Sequence, residues 1–243
     1  MSNELDGTKT VDLYKGNFSR MVLVIGKSGR GKSYALHSLD PSTTFVINVI
    51  GKELPFITAS NYTHGKNMFI GASADRIRRV MKEVSTSEQF DTLVIDDLQY
   101  IMASEFMDKA MEKGYDKWSI LARNIWEILM LSCKLRPGLT VFILTHEDDT
   151  GTERKMKTLG RLLEDKITPE GTSTIVLFSD VILENKERHY VFTTQTDGFT
   201  SAKSPMGMFP VRIPNSLGLV NERIKEYYSG VELKDSKLNF TGE

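Results

Sequence analysis

The segment Gly26-Lys27-Ser28-Gly29-Arg30-Gly31-Lys32-Ser33 satisfies the pattern G-x-x-x-x-G-K-[ST] at every fixed position. Residues of these types at this spacing make a phosphate cradle. The glycines let the backbone turn tightly enough for successive N–H groups to face one anion. A helix beginning directly after the loop, expected over Tyr34-Ala35-Leu36-His37, would add the partial positive charge of its N-terminus. Lys32 has the reach to meet the β- and γ-phosphates, and Ser33 carries a hydroxyl suited to Mg²⁺. A chance glycine-rich turn could share these letters. It would not also have the apolar run Met21–Ile25 before it and a helix-forming stretch after it. Gly26 to Ser33 are therefore expected to bind a nucleoside triphosphate with Mg²⁺.

A second element is acidic. Leu93-Val94-Ile95-Asp96-Asp97 reads as an apolar strand ending in two carboxylates. A P-loop site needs an acid at the tip of a neighbouring strand to help hold the metal, and Asp96 fits that place. Asp97 could orient or polarise the attacking water, or only cap the segment after the strand. Glu53 and Glu147 are alternative water-activating bases. Thr145 and His146 end another apolar run, where open α/β sheets place their ligands. His146 is expected to sense the γ-phosphate there. The catalytic candidates are thus Lys32, Asp97, Glu53 and His146. The guanine-reading pattern N-K-x-D is absent, because Asn185-Lys186 is followed by Glu187-Arg188. That favours ATP.

Four apolar runs must position these groups: Met21–Ile25, Thr44–Ile50, Thr92–Ile95 and Thr140–Leu144. They scarcely alternate with polar residues, as expected of strands covered on both faces. Between them, Ile77, Val80, Met81 and Val84 share one helix face, as do Trp118, Leu121, Ile125, Ile128 and Leu129. The alternation predicts an α/β fold with a mainly parallel sheet flanked by helices. Later, Thr174–Phe178 and Tyr190–Thr194 flank a polar turn and predict an antiparallel strand pair at the C-terminal edge. A loop over Thr196–Pro214 and a helix over Leu217–Tyr228 complete the reading. It divides the chain into an extension over 1–17, one ATPase domain over 18–229 and a polar tail over 230–243.

Composition narrows the context. The chain has 243 residues, a formal net charge of -1 and one cysteine, Cys133. Near-neutral charge leaves any nucleic-acid surface to local patches. One cysteine excludes a disulfide framework and a multi-cysteine zinc site. No apolar run approaches the roughly 20 residues that span a bilayer. A cytoplasmic protein without membrane contact is expected.

The order of P-loop, paired acids, polar strand end and charged loop resembles the RecA-like ATPase core. The chain more particularly resembles the small phage-encoded RecA-like recombination ATPases, also described as phage AAA-type ATP-binding proteins. The resemblance rests on GKSGRGKS at 26–33, Lys52-Glu53-Leu54-Pro55-Phe56, LVIDD at 93–97, Ile143-Leu144-Thr145-His146-Glu147 and Thr194-Gln195-Thr196-Asp197-Gly198. It implies a DNA-dependent ATPase of recombination that acts in the host cytoplasm as a homo-oligomeric ring or filament. Single-stranded DNA and a single-strand DNA-binding protein are the implied partners.

Two DNA-facing loops are implied as well. One comes after the acids, over Leu98–Trp118, and holds Tyr100, Phe106 and Tyr115 beside Lys109, Lys113 and Lys117. The other, over Glu147–Thr172, holds Arg154, Lys155, Lys157, Arg161 and Lys166. It departs from the pattern in having no aromatic residue. Lys203, with Arg161 as second candidate, is the implied cation reaching a neighbouring subunit's site. Three other classes fit parts of the sequence: an ATPase that remodels or loads a protein such as a helicase, a kinase using Arg154–Arg161 as a lid, and a module that holds ATP without cleaving it.

Overall fold

The computed structural model describes residues 18–111, 116–158, 168–230 and 238. The extension over 1–17, nearly all of the tail, Lys113, Tyr115, Arg161 and Lys166 lie outside the described residues. Ten strands are described. They are β1 (Arg20–Ile25), β2 (Thr44–Asn48), β3 (Met68–Ile70), β4 (Thr92–Asp96), β5 (Thr140–Thr145), β6 (Glu147–Asp149), β7 (Arg154–Met156), β8 (Ile175–Glu184), β9 (Glu187–Thr193) and β10 (Arg212–Pro214). Eight form one sheet in the order β10-β9-β8-β1-β5-β4-β2-β3. From β3 to β8 the pairings are parallel, and β9 and β10 add the antiparallel edge. The expected parallel α/β sheet and its antiparallel pair are both present.

The apolar runs do not alternate because both faces of the sheet are covered. On one face Leu23, Ile25, Leu93, Ile95 and Ile143 pack against Ile77 and Met81 of α1 (Ala74–Thr86) and Ile125 and Ile128 of α3 (Asp116–Ser132). On the other, Val22, Val24, Val94 and Phe142 meet Leu36 and the Leu217, Val220 and Ile224 face of α4 (Leu217–Ser229). Successive strand side chains point to opposite faces, so one run fills two cores. Leu23 is fully enclosed; its truncation to Ala is expected to cost about 2–5 kcal/mol. Ser216 caps α4 by accepting from the Leu219 N–H, and Gly230 ends it in the left-handed conformation.

Three expectations need correction. The P-loop does not lead into an α-helix. It leads into a 3-10 turn over Tyr34–Ser38, after which Leu39 is extended. Asp40, which precedes Pro41, is sterically biased away from helix. The Gly218 N–H at the start of α4 donates to Ser38 Oγ at 2.9 Å and holds the turn. A turn this short has little macrodipole to offer. Second, the described part of Leu98–Trp118 is mostly helix: α2 (Gln99–Asp108) begins after the turn residues Asp97 and Leu98 that end β4, and α3 begins at Asp116. Third, the supposed loop ending at Pro214 finishes in a short edge strand, β10, where proline is tolerated.

Candidate functional site

Strand β1 sits between β5 and β8, and its carboxyl end fixes where the P-loop begins. The Gly26 N–H donates to Thr145 O at 3.2 Å, tying the loop to the end of β5. A Cβ on Gly26 would stand 2.8 Å from Ser179 O, so glycine lets β8 approach. Gly29 and Gly31 have φ of 78° and 91°, the left-handed region that glycine takes without strain. Lys32 is only 7% exposed. Its Nζ donates to Gly26 O at 2.6 Å and Lys27 O at 3.1 Å, so the loop's own carbonyls hold the ammonium. Burial lowers its pKa, against the pull of Asp97 and Asp96.

The acids stand where β4 ends, with β5 between them and the P-loop strand. Ser33 Oγ donates to Asp96 Oδ1 at 2.8 Å. Asp96 is buried, and desolvation raises its pKa although the Ser33 bond, Lys52 and Lys32 oppose the shift. Its Oδ2 has no hydrogen-bond partner among the described residues. A buried carboxylate oxygen without a partner costs free energy unless something completes it. A hydroxyl and a carboxylate in contact, with one orphaned oxygen, fit the protein's share of a Mg²⁺ site, which phosphate oxygens and water would complete. Bound Mg²⁺ would neutralise charge on the β- and γ-oxygens.

Asp97 follows Asp96 and lines the same cavity as the P-loop. It is buried, and its Oδ2 lies 2.8 Å from His146 Nε2. Its Oδ1 has no partner among the described residues. The edge of the Tyr100 ring meets His146 at 5.9 Å between centroids. Asp97, His146, Tyr100, Lys52 and Glu53 line one side of a cavity of about 500 Å³, and Ser28, Gly29, Gly31, Lys32 and Ser33 line its floor. The structure thus brings Lys32, Asp97, Glu53 and His146 together at one cavity, with Glu53 exposed at its mouth.

Other candidates fall elsewhere. Glu147 is not a free base: its side chain is enclosed and engaged by Arg154 at 2.7 and 3.2 Å. Nor is Arg154 a free cation for a DNA phosphate. It is 15% exposed and also grips Asp180 at 2.8 and 3.3 Å. Burial lowers the Arg154 pKa, but the bonds to Glu147 and Asp180 outweigh that and the net shift is upward. The P-loop's other two cations join this ladder, Lys27 on Asp149 at 2.8 Å and Arg30 near Asp180 at 3.6 Å. Lys155 is half-buried and Lys157 exposed on the β6–β7 hairpin.

Lys203 pairs through its backbone with Val176 and does not line the cavity of its own chain. Of the aromatics after Asp97, Tyr100 faces the cavity and Phe106 stacks on Trp118 at 5.0 Å. Neither presents a bare ring for a nucleic-acid strand. Sequence reading missed Tyr34, Tyr190 and the catalytic-side placing of Tyr100. Tyr190 shares its strand face with the fully buried Phe192, so the period of two alone does not mark it as exposed.

A parallel sheet with a P-loop at its central strand, an acid pair two strands away and a polar strand end between them defines a P-loop nucleotide-binding ATPase domain. The chain belongs to the AAA family, the ATPase family associated with various cellular activities, which matches residues 22–166. Among solved structures it is similar to a KaiC-like protein from the hyperthermophilic archaeon Pyrococcus horikoshii. That match has 18% identity, covers 71% of this chain and 76% of the other, and has a TM-score of 0.43. No curated protein matches the chain. Among the described residues, no helix is long and apolar enough to cross a membrane.

Proposed function

We propose that the chain hydrolyses ATP with Mg²⁺ and that the bound nucleotide controls its grip on single-stranded DNA in recombination. The observation that carries the catalytic part is the Asp97–His146 pair, 2.8 Å apart, at the cavity that the P-loop lines. Asp97 accepts the water's proton as oxygen attacks the γ-phosphorus in line. Lys32 and the loop N–H groups hold the leaving diphosphate. Water gains the phosphorus–oxygen bond and the β–γ bridging oxygen leaves with its electron pair.

Support for the DNA part is the path from His146. The His146 carbonyl accepts from the Lys157 N–H at 2.9 Å. A shift of His146 against a γ-phosphate would therefore move Lys157 and, through the adjoining β7, Lys155. Neither lysine is engaged by a carboxylate among the described residues. The phage source, the oligomer and the subunit-crossing role of Lys203 rest on the resemblance alone. A second reading, remodelling of a protein partner, draws on the AAA family match and on the packed aromatics of α2. ATP hydrolysis measured with and without single-stranded DNA separates them. Several-fold stimulation that is lost in a Lys155→Glu, Lys157→Glu variant supports the first. DNA-indifferent hydrolysis sinks it and favours the second.

A further inference from the structure

The cavity has a side that the chemistry above leaves unused. Asp97 and His146 close it at β4 and β5. Across β1 stand two rings, Tyr34 in the 3-10 turn and Tyr190 on β9, both lining the same cavity beside Gly29 and Gly31. In the order β9-β8-β1-β5-β4, Tyr190 and Asp97 are set on strands with the P-loop strand midway between them. At ~4.8 Å per strand place, β9 and β4 are about 19 Å apart. A triphosphate seated on the loop with its γ end toward Asp97 must direct its nucleoside toward the two tyrosines.

Register raises Tyr190 to the right height. Ile25, the last residue of β1, pairs with Phe178, whereas Tyr190 pairs with Val181. The β8–β9 hairpin therefore carries Tyr190 about 10 Å beyond the end of β1, at ~3.3 Å per residue. It stands beside the P-loop, where a Cβ on Gly31 would meet its Cδ1 at 2.8 Å. Tyr34 and Tyr190 are 44% and 43% exposed. His37 stacks behind Tyr34 at 4.5 Å, and the two tyrosine rings lie 6.5 Å apart, tilted by 37°. Exposed, backed rings inside a cavity make a stacking platform for a flat base.

We infer that Tyr190 and Tyr34 form the nucleobase subsite and that it takes a purine by stacking. The inference rests on the reading of the cavity as a nucleoside-triphosphate site. Among the described residues, glycine and serine line the cavity around these rings, and the Asn215 amide beside Gly31 is buried and does not line it. Selection is therefore by ring area: ATP and GTP bind alike, and CTP binds more weakly.

Binding of ATP, GTP, CTP and inorganic tripolyphosphate to the wild type, Tyr190→Ala and Tyr190→Phe tests this. The wild type is expected to bind ATP and GTP within a few-fold of each other and about tenfold more tightly than CTP. Tyr190→Ala should lose that tenfold for both purines and keep its tripolyphosphate affinity, which also shows that the loop is folded. Tyr190→Phe should behave as the wild type. Unchanged ATP affinity in Tyr190→Ala, or CTP binding as tightly as ATP in the wild type, overturns the inference and leaves the triphosphate site standing. A wild type that binds neither ATP nor tripolyphosphate overturns the site itself. Should Tyr190→Ala fail to fold, Tyr34→Ala carries the same comparison.

Discussion

The two flanks of the P-loop are both rich in charge, and they use it in opposite ways. On the β4 side, Asp96 and Asp97 are buried and each keeps one oxygen without a partner among the described residues. On the β8 side, Lys27, Asp149, Glu147, Arg154, Asp180 and Arg30 form a ladder in which each charge meets an opposite one. Buried charge left incomplete is costly to the fold and is kept where a ligand completes it. Completed charge holds the scaffold. The comparison teaches that motif cations need not touch phosphate: Lys27 and Arg30 lie within the signature and serve as ties.

The largest effects should fall on the incomplete flank. Lys32→Ala and Asp96→Asn are each expected to lower ATP turnover at least about 10²-fold. Asp96→Asn should also raise the melting temperature of the nucleotide-free protein. Burial raises the Asp96 pKa, so the folded state binds more protons than the unfolded one above the ordinary carboxylate value. Stability is then lost as pH rises from that value through the raised pKa, and the amide escapes the loss. A thermal melt at neutral pH in which Asp96→Asn is the less stable protein would break the comparison.

Asp97→Asn is expected next, with kcat down about 10²-fold or more and ATP affinity nearly unchanged. Kinetics resolved into kcat and ATP binding would check it. Arg154→Gln, on the completed flank, should do the reverse. It takes the nearest cation from the enclosed Glu147 and the half-buried Asp180, leaving them only Lys27 at 3.7 Å and Arg30 at 3.6 Å, at a cost of about 3 kcal/mol in chemical denaturation. Turnover per folded molecule should fall by no more than a few-fold. The smallest effect belongs to Lys27→Gln. The Lys27 bond holds the Asp149 carboxyl below its usual range and raises the lysine, but both groups are solvent-screened. That contribution is present above the ordinary carboxylate pKa and fades as pH falls through the depressed one. No resolvable change in melting temperature at physiological salt is expected.

What the sequence made legible was whatever depends on local chemistry. The P-loop, Asp96 and the covered strands announce themselves by spacing and by runs of apolar residues. The ladder did not, because Arg154 meets Asp180 across 26 positions of chain and no local pattern encodes that. A basic cluster at 154–157 reads the same whether its arginine is buried or solvated. The turn after Ser33 reads locally as a helix, because its limit comes from α4, which lies far along the chain. Strand β3, three residues at the edge and half-exposed, carried too little pattern to be seen. Tyr190 reads only as the start of a strand, because its place at the cavity depends on register with β8.

The central claim is that Asp97, held by His146 beside the P-loop, performs the chemistry. Single-turnover ATP cleavage by the wild type and by Asp97→Asn, both with saturating Mg²⁺ and with ATP binding measured in the same samples, tests it most directly. The account predicts that both proteins bind ATP and that only the wild type cleaves it at an appreciable rate. Cleavage by Asp97→Asn at the wild-type rate would contradict it and move the base to Glu53.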